Sequence, residues 1–153
     1  MLKVKLLSAD AKMPTVGHPG EDLAYDLYAN EDVQLQPMSV QKIKTGVAAV
    51  FDGPPLGSIF ATPITKWGLL IQDRGSRSGN DHLFVIGGVV DAGYRGEIEV
   101  VMVNFNNYFF KIEKGDKIAQ MIPTPVLTGL GVAVVSELPA SSRGDGAWGS
   151  TGK

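Results

Sequence analysis

The segment GGVVDAGYRGEIEV, residues 87–100, combines residue types that could perform acid–base chemistry. Its two glycines allow close backbone approach or unusual dihedral angles, and a short apolar run then leads to Asp91. A turn and another strand are predicted to follow, which is the pattern of a β-hairpin. Asp91 is then either a general base beside exposed backbone groups or a carboxylate that stabilises the turn. This segment alone slightly favours the turn role.

A second polar cluster, QDRGSRSGN at residues 72–80, has the composition of a phosphate-binding loop. Guanidinium groups, hydroxyls and free backbone N–H groups together suit a polyphosphate chain. Taken alone, such a stretch is more often a hydrophilic turn. Two further clusters interrupt apolar runs: AYDLYA at 24–29, which contains Asp26, and KGDKIAQMIP at 114–123, which contains Gln120.

The chain ends in GDGAWGSTGK, residues 144–153, which has glycines and hydroxyls but does not predict a P-loop. Ala147 occupies the position where that motif requires a glycine. Trp148 is costly to leave exposed among glycines, and aromatic residues in mobile arms can act as anchors on closing. We expect residues 1–138 to form a single domain and residues 139–153 to form a flexible C-terminal arm.

The elements that must position these clusters are predicted to be strands. Short runs rich in Val, Ile and Phe are separated by turn residues at strand-like spacing, which indicates an all-β sandwich or barrel. The predicted strands are 3–7, 33–36, 46–51, 58–62, 68–72, 98–105, 108–112, 117–122 and 131–138. No amphipathic helix longer than about one turn is predicted.

Composition excludes several classes of function. The chain has 153 residues, 44% of them hydrophobic, a net charge of −2 and no cysteine. This suits one globular domain without disulfides or thiolate metal sites, and it gives no basic surface for nucleic acid. No apolar run approaches the roughly 20 residues needed to span a bilayer, and no secretory signal is evident. We therefore expect a cytoplasmic protein, in a host cell if the gene is viral, that binds neither nucleic acid nor membrane.

The order of the clusters resembles that of the homotrimeric dUTPase family, whose members carry five short motifs. AYDLYA resembles the first motif, RGSRSG the second, GGVVDAGYRGEI the third and KGDKIAQMI the fourth. RGDGAWGSTG resembles the fifth, with Trp148 where the family usually has phenylalanine. Each motif alone is weak to moderate evidence, whereas five in order over residues 24–152 are strong evidence.

The resemblance implies an all-β, jelly-roll-like β-barrel of the dUTPase-like, β-clip type. It also implies a homotrimer in which the C-terminal arm closes over a neighbouring subunit. The implied activity is hydrolysis of dUTP to dUMP and pyrophosphate with Mg²⁺. That reaction limits uracil incorporation into DNA and supplies dUMP for dTTP synthesis.

Roles for single residues also follow from the resemblance. Asp91 would orient and deprotonate the attacking water, and Tyr94 would pack under deoxyribose and exclude a 2′-hydroxyl. Asp26 would contact Mg²⁺ through water. The remaining implied substrate contacts are the backbone of Gly88, Val89 and Val90 on uracil, Gln120 and Arg143 on phosphates, Trp148 on the uracil ring, and Gly149, Ser150 and Thr151 on phosphates.

The second motif has two registers, and both remain open. A literal match of Arg-Ser-Gly places Arg77, Ser78 and Gly79 in the motif. The alternative makes Arg74 the motif arginine and Ser76 its hydroxyl, and the longer separation of Arg74 from Asp91 suits the intervening loop better.

Two alternative functions accompany the hydrolase interpretation. The related dCTP deaminases share the barrel and the trimer, but the match places Asp91 rather than a glutamate at the chemical step. The other alternative is a regulator that binds dUTP and signals to a protein partner, as some bacteriophage members of the family do. An intact Asp91 favours chemistry and is compatible with a protein regulator as an additional partner.

Overall fold

The computed structural model describes residues 1–53, 65–127, 131–142 and 144. The strands in this part of the chain are β1 (Leu2–Leu6), β2 (Tyr25–Tyr28), β3 (Val33–Leu35), β4 (Ser39–Lys44), β5 (Val47–Phe51), β6 (Thr65–Gln72), β7 (Leu83–Ile86), β8 (Val89–Val90), β9 (Glu99–Asn104), β10 (Phe110–Ile112) and β11 (Lys117–Leu127). One short helix, α1 (Gly75–Gly79), follows β6. The all-β expectation is confirmed.

The described strands form four antiparallel sheets around one core, rather than one continuous ring. The two larger sheets have the strand orders β2-β11-β6-β8 and β4-β9-β7, and the smaller pairs are β1-β5 and β3-β10. Alternation explains the packing: along β9, Val100 and Met102 are buried while Glu99 faces solvent. Each fully buried apolar side chain contributes about 1.5–3 kcal/mol, so the core holds the two larger sheets together.

The predicted hairpin around Asp91 is wrong. β8 pairs with β6, in one of the larger sheets, whereas β9 pairs with β4 and β7 in the other. Residues 87–97, here called the crossover segment, therefore carry the chain between two sheets. The unusual backbone geometry predicted for the two glycines is present, but local pattern carries no information on which strands the segment joins.

Two other predictions need correction. Residues 131–138 form no strand, and Val132 and Val134 are fully exposed, because an apolar run becomes a strand only where a neighbouring strand satisfies its backbone. The cluster at 72–80 contains α1 rather than only a loop.

The predicted strand at 58–62 lies outside the described residues. None of the helical segments in the described ranges has the length and apolarity that a membrane crossing requires.

Candidate functional site

The crossover segment is fixed to β6 by a close backbone contact. The N–H of Ile71 donates a 2.7 Å hydrogen bond to the carbonyl of Gly88. A Cβ atom added at Gly88 would lie 2.0 Å from the Ile71 carbonyl oxygen, so only glycine fits there. Gly87, with φ of +64°, adopts the left-handed conformation that glycine tolerates best.

Asp91 and Tyr94 line a small pocket formed by this segment and the start of β9. The lining of this pocket also includes Val89, Val90, Glu97 and Val101. The Tyr94 hydroxyl donates to the carbonyl of Glu97 at 2.9 Å, and the Tyr94 N–H donates to the carbonyl of Asp91, also at 2.9 Å. Among the described residues, the exposed Asp91 carboxylate has no hydrogen-bond or ion-pair partner. This region is called the Asp91 pocket below.

A second, larger pocket contains charged residues of three predicted motifs. Asp26 on β2 is its centre: its carboxylate oxygens accept from Arg74 Nε at 2.8 Å and from Lys117 Nζ at 2.6 Å. Only 13% of the Asp26 side chain is exposed, against 27% for Arg74 and 39% for Lys117. Two cations thus share one largely buried carboxylate, and the carboxylates of Glu21 and Asp22 also line the pocket. This region is called the Arg74 pocket.

The ion pairs in the Arg74 pocket have an electrostatic consequence. The hydrogen bond and charge of Asp26 raise the pKa of Lys117 above its ordinary value. Lys117 therefore remains a cation throughout the neutral range. At the rim of the pocket, the backbone N–H of His18 donates to Asp22 and lowers the pKa of that carboxyl.

Ser76 and Gln120 add a hydroxyl and an amide to the lining of the Arg74 pocket. The Ser76 hydroxyl accepts a 3.3 Å hydrogen bond from Arg74, and Gln120 Nε2 donates to the backbone carbonyl of Asp73 at 2.6 Å. Gln120 lies opposite both Asp26 and Gln72 in the β2-β11-β6 ladder, so strand register brings these distant residues together. The arrangement offers guanidinium, ammonium, hydroxyl and amide donors to an anionic ligand.

The literal second motif occupies a different environment. The Arg77 guanidinium binds the carbonyl of Lys117 at 3.0 Å and pairs with Asp81 at 2.9 Å and Asp116 at 3.2 Å. Its side chain is only 16% exposed. Ser78 donates to the carbonyl of Arg74, and Gly79 ends α1. These contacts hold α1 against the body of the protein, whereas Arg74 and Ser76 face the pocket.

The structure brings the predicted residues together in two groups. Asp91, Tyr94, Val89 and Val90 line the Asp91 pocket, and Asp26, Arg74, Ser76 and Gln120 line the Arg74 pocket. The predicted residues of the C-terminal arm lie outside the described residues: Arg143, Trp148, Gly149, Ser150 and Thr151.

Sequence reasoning missed Lys117 and Asp73. Lys117 begins the strand of the fourth motif, and a basic residue three positions before Gln120 was the only signal. Asp73 directly precedes Arg74. An acidic residue in this polar cluster is also what a hydrophilic turn would contain, so the sequence gives Asp73 no separate signal. Neither role is visible without the pairing of β6 with β11.

Comparison with known proteins defines the class to which this fold and these pockets belong. The family model described as dUTPase matches residues 73–152. The deoxyuridine 5′-triphosphate nucleotidohydrolase of Clostridioides difficile is 36% identical over 99% of this chain and 97% of its own. The enzyme of the same name from Saccharomyces cerevisiae is 33% identical over 99% of this chain and 95% of its own.

Solved structures agree with the sequence comparison. The Staphylococcus bacteriophage 80alpha dUTPase with dUpNHpp superposes with a TM-score of 0.83 at 29% identity, covering 100% of this chain and 99% of that one. A mutant dUTPase from phage phi11 of S. aureus, described with a structural Mg(II) ion, gives a TM-score of 0.75 at 26% identity. That match covers 92% of this chain and 99% of the phage protein. The chain belongs to the dUTPase family.

Proposed function

We propose that this protein is a dUTP diphosphatase, which hydrolyses dUTP to dUMP and pyrophosphate with Mg²⁺. One observation carries the proposal: Arg74, Ser76, Lys117 and Gln120 converge on one pocket that suits a triphosphate. By this reaction, the protein would limit uracil incorporation into DNA and supply dUMP for dTTP synthesis.

Asp91 is the general base in this proposal. Its exposed carboxylate accepts a proton from water as the water oxygen attacks the α-phosphorus. The bond between that phosphorus and the bridging oxygen to the β-phosphate breaks, and pyrophosphate leaves. Tyr94 packs under the deoxyribose, and the backbone of Gly88, Val89 and Val90 reads the uracil edge.

The Arg74 pocket holds the triphosphate. We assign the motif role to Arg74 and Ser76, because Arg77 is occupied by two carboxylates and a carbonyl of the protein body. Gln120 and Lys117 add an amide and an ammonium donor. Charge-assisted hydrogen bonds of this type are roughly twice as strong as neutral ones.

Magnesium fits this site as an ion that arrives with the nucleotide. Both oxygens of Asp26 are already paired with cations, so contact through water suits this carboxylate better than direct ligation. Mg²⁺ commonly keeps several waters and binds through one or two carboxylates plus substrate phosphates. When bound, the ion would neutralise part of the phosphate charge.

A homotrimer would complete the site. In one chain, Asp91 lines one pocket and Arg74 lines another, so subunits in contact could supply the two parts of a shared centre. The exposed valines at 132 and 134 suit packing against a neighbour. The C-terminal arm, residues 139–153, would then close over that neighbour, with Arg143, Gly149, Ser150 and Thr151 on the phosphates and Trp148 on the uracil.

Removal of residues 143–153 tests the arm. We expect turnover of dUTP to fall by about a hundredfold, since closure excludes water from the charged chain. Light scattering should show an unchanged trimer. Loss of the trimer would assign the arm a structural role.

The test of the activity is pyrophosphate release with magnesium from dUTP, dCTP, dTTP and UTP, measured in parallel. Release from dUTP alone would establish the activity and its selectivity against the methyl group and the 2′-hydroxyl. Release from none, with retained dUpNHpp binding, would favour a nucleotide-dependent regulator. That second candidate is favoured by the similarity to the phage 80alpha enzyme, described among dUTPases that control transfer of virulence genes.

A further inference from the structure

We propose that Asp73 is a positioning residue that holds the junction between β6 and α1, where Arg74 lies, together with Gln120 and β7 in one fixed arrangement, and so sets the geometry of both pockets. The kinetic part of this inference rests on the proposed function. Its structural part rests on contacts within the chain alone.

Asp73 has two separate contacts that join three strands. It follows β6 directly, and its carboxylate accepts a hydrogen bond from the backbone N–H of Val85 on β7. Its backbone carbonyl accepts the 2.6 Å bond from Gln120 on β11. The half-buried residue immediately before Arg74 is therefore bonded to both neighbouring elements.

The partner on β7 is available because β7 is an edge strand. Within the described residues, the three-stranded sheet has the order β4-β9-β7, and Val85 pairs with Met102 on its inner side only. An edge N–H group that is withdrawn from water needs an acceptor, or its desolvation is uncompensated. β6 belongs to the other large sheet, so the Asp73 carboxylate makes a connection between sheets at a point where backbone pairing makes none.

This connection lies between the two groups of functional residues. On one side, the backbone continues from Asp73 into Arg74 and Ser76. On the other side, β7 leads directly into the crossover segment, which carries Asp91. The hydrogen bond from Ile71 to Gly88 adds a second tie, between β6 and the start of the crossover segment. A carboxylate acceptor makes the Asp73 tie stronger than a neutral one would.

The experiment compares Asp73→Ala and Asp73→Asn with wild type, and uses Asp10→Ala as a matched control. Asp10 is an exposed carboxylate paired with Lys114, and it is not among the residues that line either pocket. We would measure kcat and KM for dUTP, the Kd for dUpNHpp, and hydrogen exchange of the Val85 amide by NMR.

We expect Asp73→Ala to lower kcat about ten- to a hundredfold, because small misplacements of reacting groups are costly. Its Val85 amide should exchange faster than in wild type. Asp73→Asn keeps an oxygen that can accept from Val85, so it should recover most of kcat and of the amide protection. The control should match wild type in all readouts.

Two results with Asp73→Ala would overturn the inference. One is an Asp73→Ala protein with wild-type kcat, even if its melting temperature falls, because that is a purely structural effect. The other is unchanged protection of the Val85 amide. If Asp73→Ala does not fold, Asp73→Glu is the second variant, because it keeps the charge but displaces it. Asp73→Glu should fold and show a reduced kcat. A wild-type kcat in Asp73→Glu would equally overturn the proposal. A wild-type protein without pyrophosphate release would refute the proposed function instead, and Val85 exchange and dUpNHpp affinity would still test Asp73.

Discussion

The two pockets are built in opposite ways. In the Arg74 pocket, Asp26 holds Arg74 and Lys117 by ion pairs at 2.8 and 2.6 Å, so side chains are ordered by one another before any ligand binds. In the Asp91 pocket, the backbone provides the order through Gly88, while the Asp91 carboxylate stays exposed. Pre-arranged charge suits the binding of an anion, and a carboxylate without a cationic partner is free to accept a proton.

This comparison predicts that chemistry and binding can be separated by mutation. Substitutions in the Asp91 pocket should reduce kcat, and substitutions in the Arg74 pocket should mainly raise KM.

Replacement of Asp91 by Asn should lower dUTP turnover by about a thousandfold, since general-base catalysis commonly supplies 10²–10⁴. The amide is similar in shape but cannot take the proton, so the affinity for dUpNHpp should be retained. Steady-state kinetics and calorimetric titration would measure the two effects. An Asp91→Asn enzyme with unimpaired turnover would remove Asp91 from the chemical step.

Replacement of Gly88 by Ala should lower kcat/KM by about a hundredfold, because the new Cβ must displace the Ile71 carbonyl and with it the crossover segment. Gly93→Ala is the matched control on the same segment, since a Cβ there meets nothing within 4 Å. Equal activity of the two variants would show that backbone placement does not order the Asp91 pocket.

The two registers of the second motif are separated by Arg74→Ala and Arg77→Ala. Loss of Arg74 should raise KM by about tenfold, as expected for a charge-assisted contact to phosphate. Loss of Arg77 should lower the melting temperature, because Asp81 and Asp116 lose their cation, with a smaller change in KM. The reverse pattern would move the motif to Arg77 and Ser78.

The smallest effect concerns pH. The folded-state pKa of Lys117 is raised by Asp26, so the stabilisation from this pair is fully present below pH 10.5 and is lost as the pH rises through the higher folded value. NMR titration of the Lys117 side chain should show a lower pKa in Asp26→Asn. An unchanged titration would mean that Asp26 does not order this pocket.

Much of the fold could be predicted from local pattern. Alternating or apolar runs identified β1, β3, β5, β9 and β10 within a few residues, because side-chain alternation is a local property. The sequence pattern does not predict β2, because the polar Asp26 interrupts its apolar residues. It does not predict β4 either, because most residues of that strand are polar and exposed. The apolar run at 131–138 predicts a strand that is not formed in the described structure, since strand formation depends on a partner strand elsewhere in the chain.

The sequence by itself determined the residue types, their order and the membership of a family with five motifs, since these depend on short contiguous stretches. Only the tertiary structure decided which residues meet. The β2-β11-β6 ladder brings Asp26 into contact with both Lys117 and Arg74. The same fold directs Arg77 to Asp81 and Asp116, and it places Asp91 between two sheets rather than in a hairpin. The physical reason is that contacts between residues distant along the chain are set by strand register and sheet order, which no local pattern encodes.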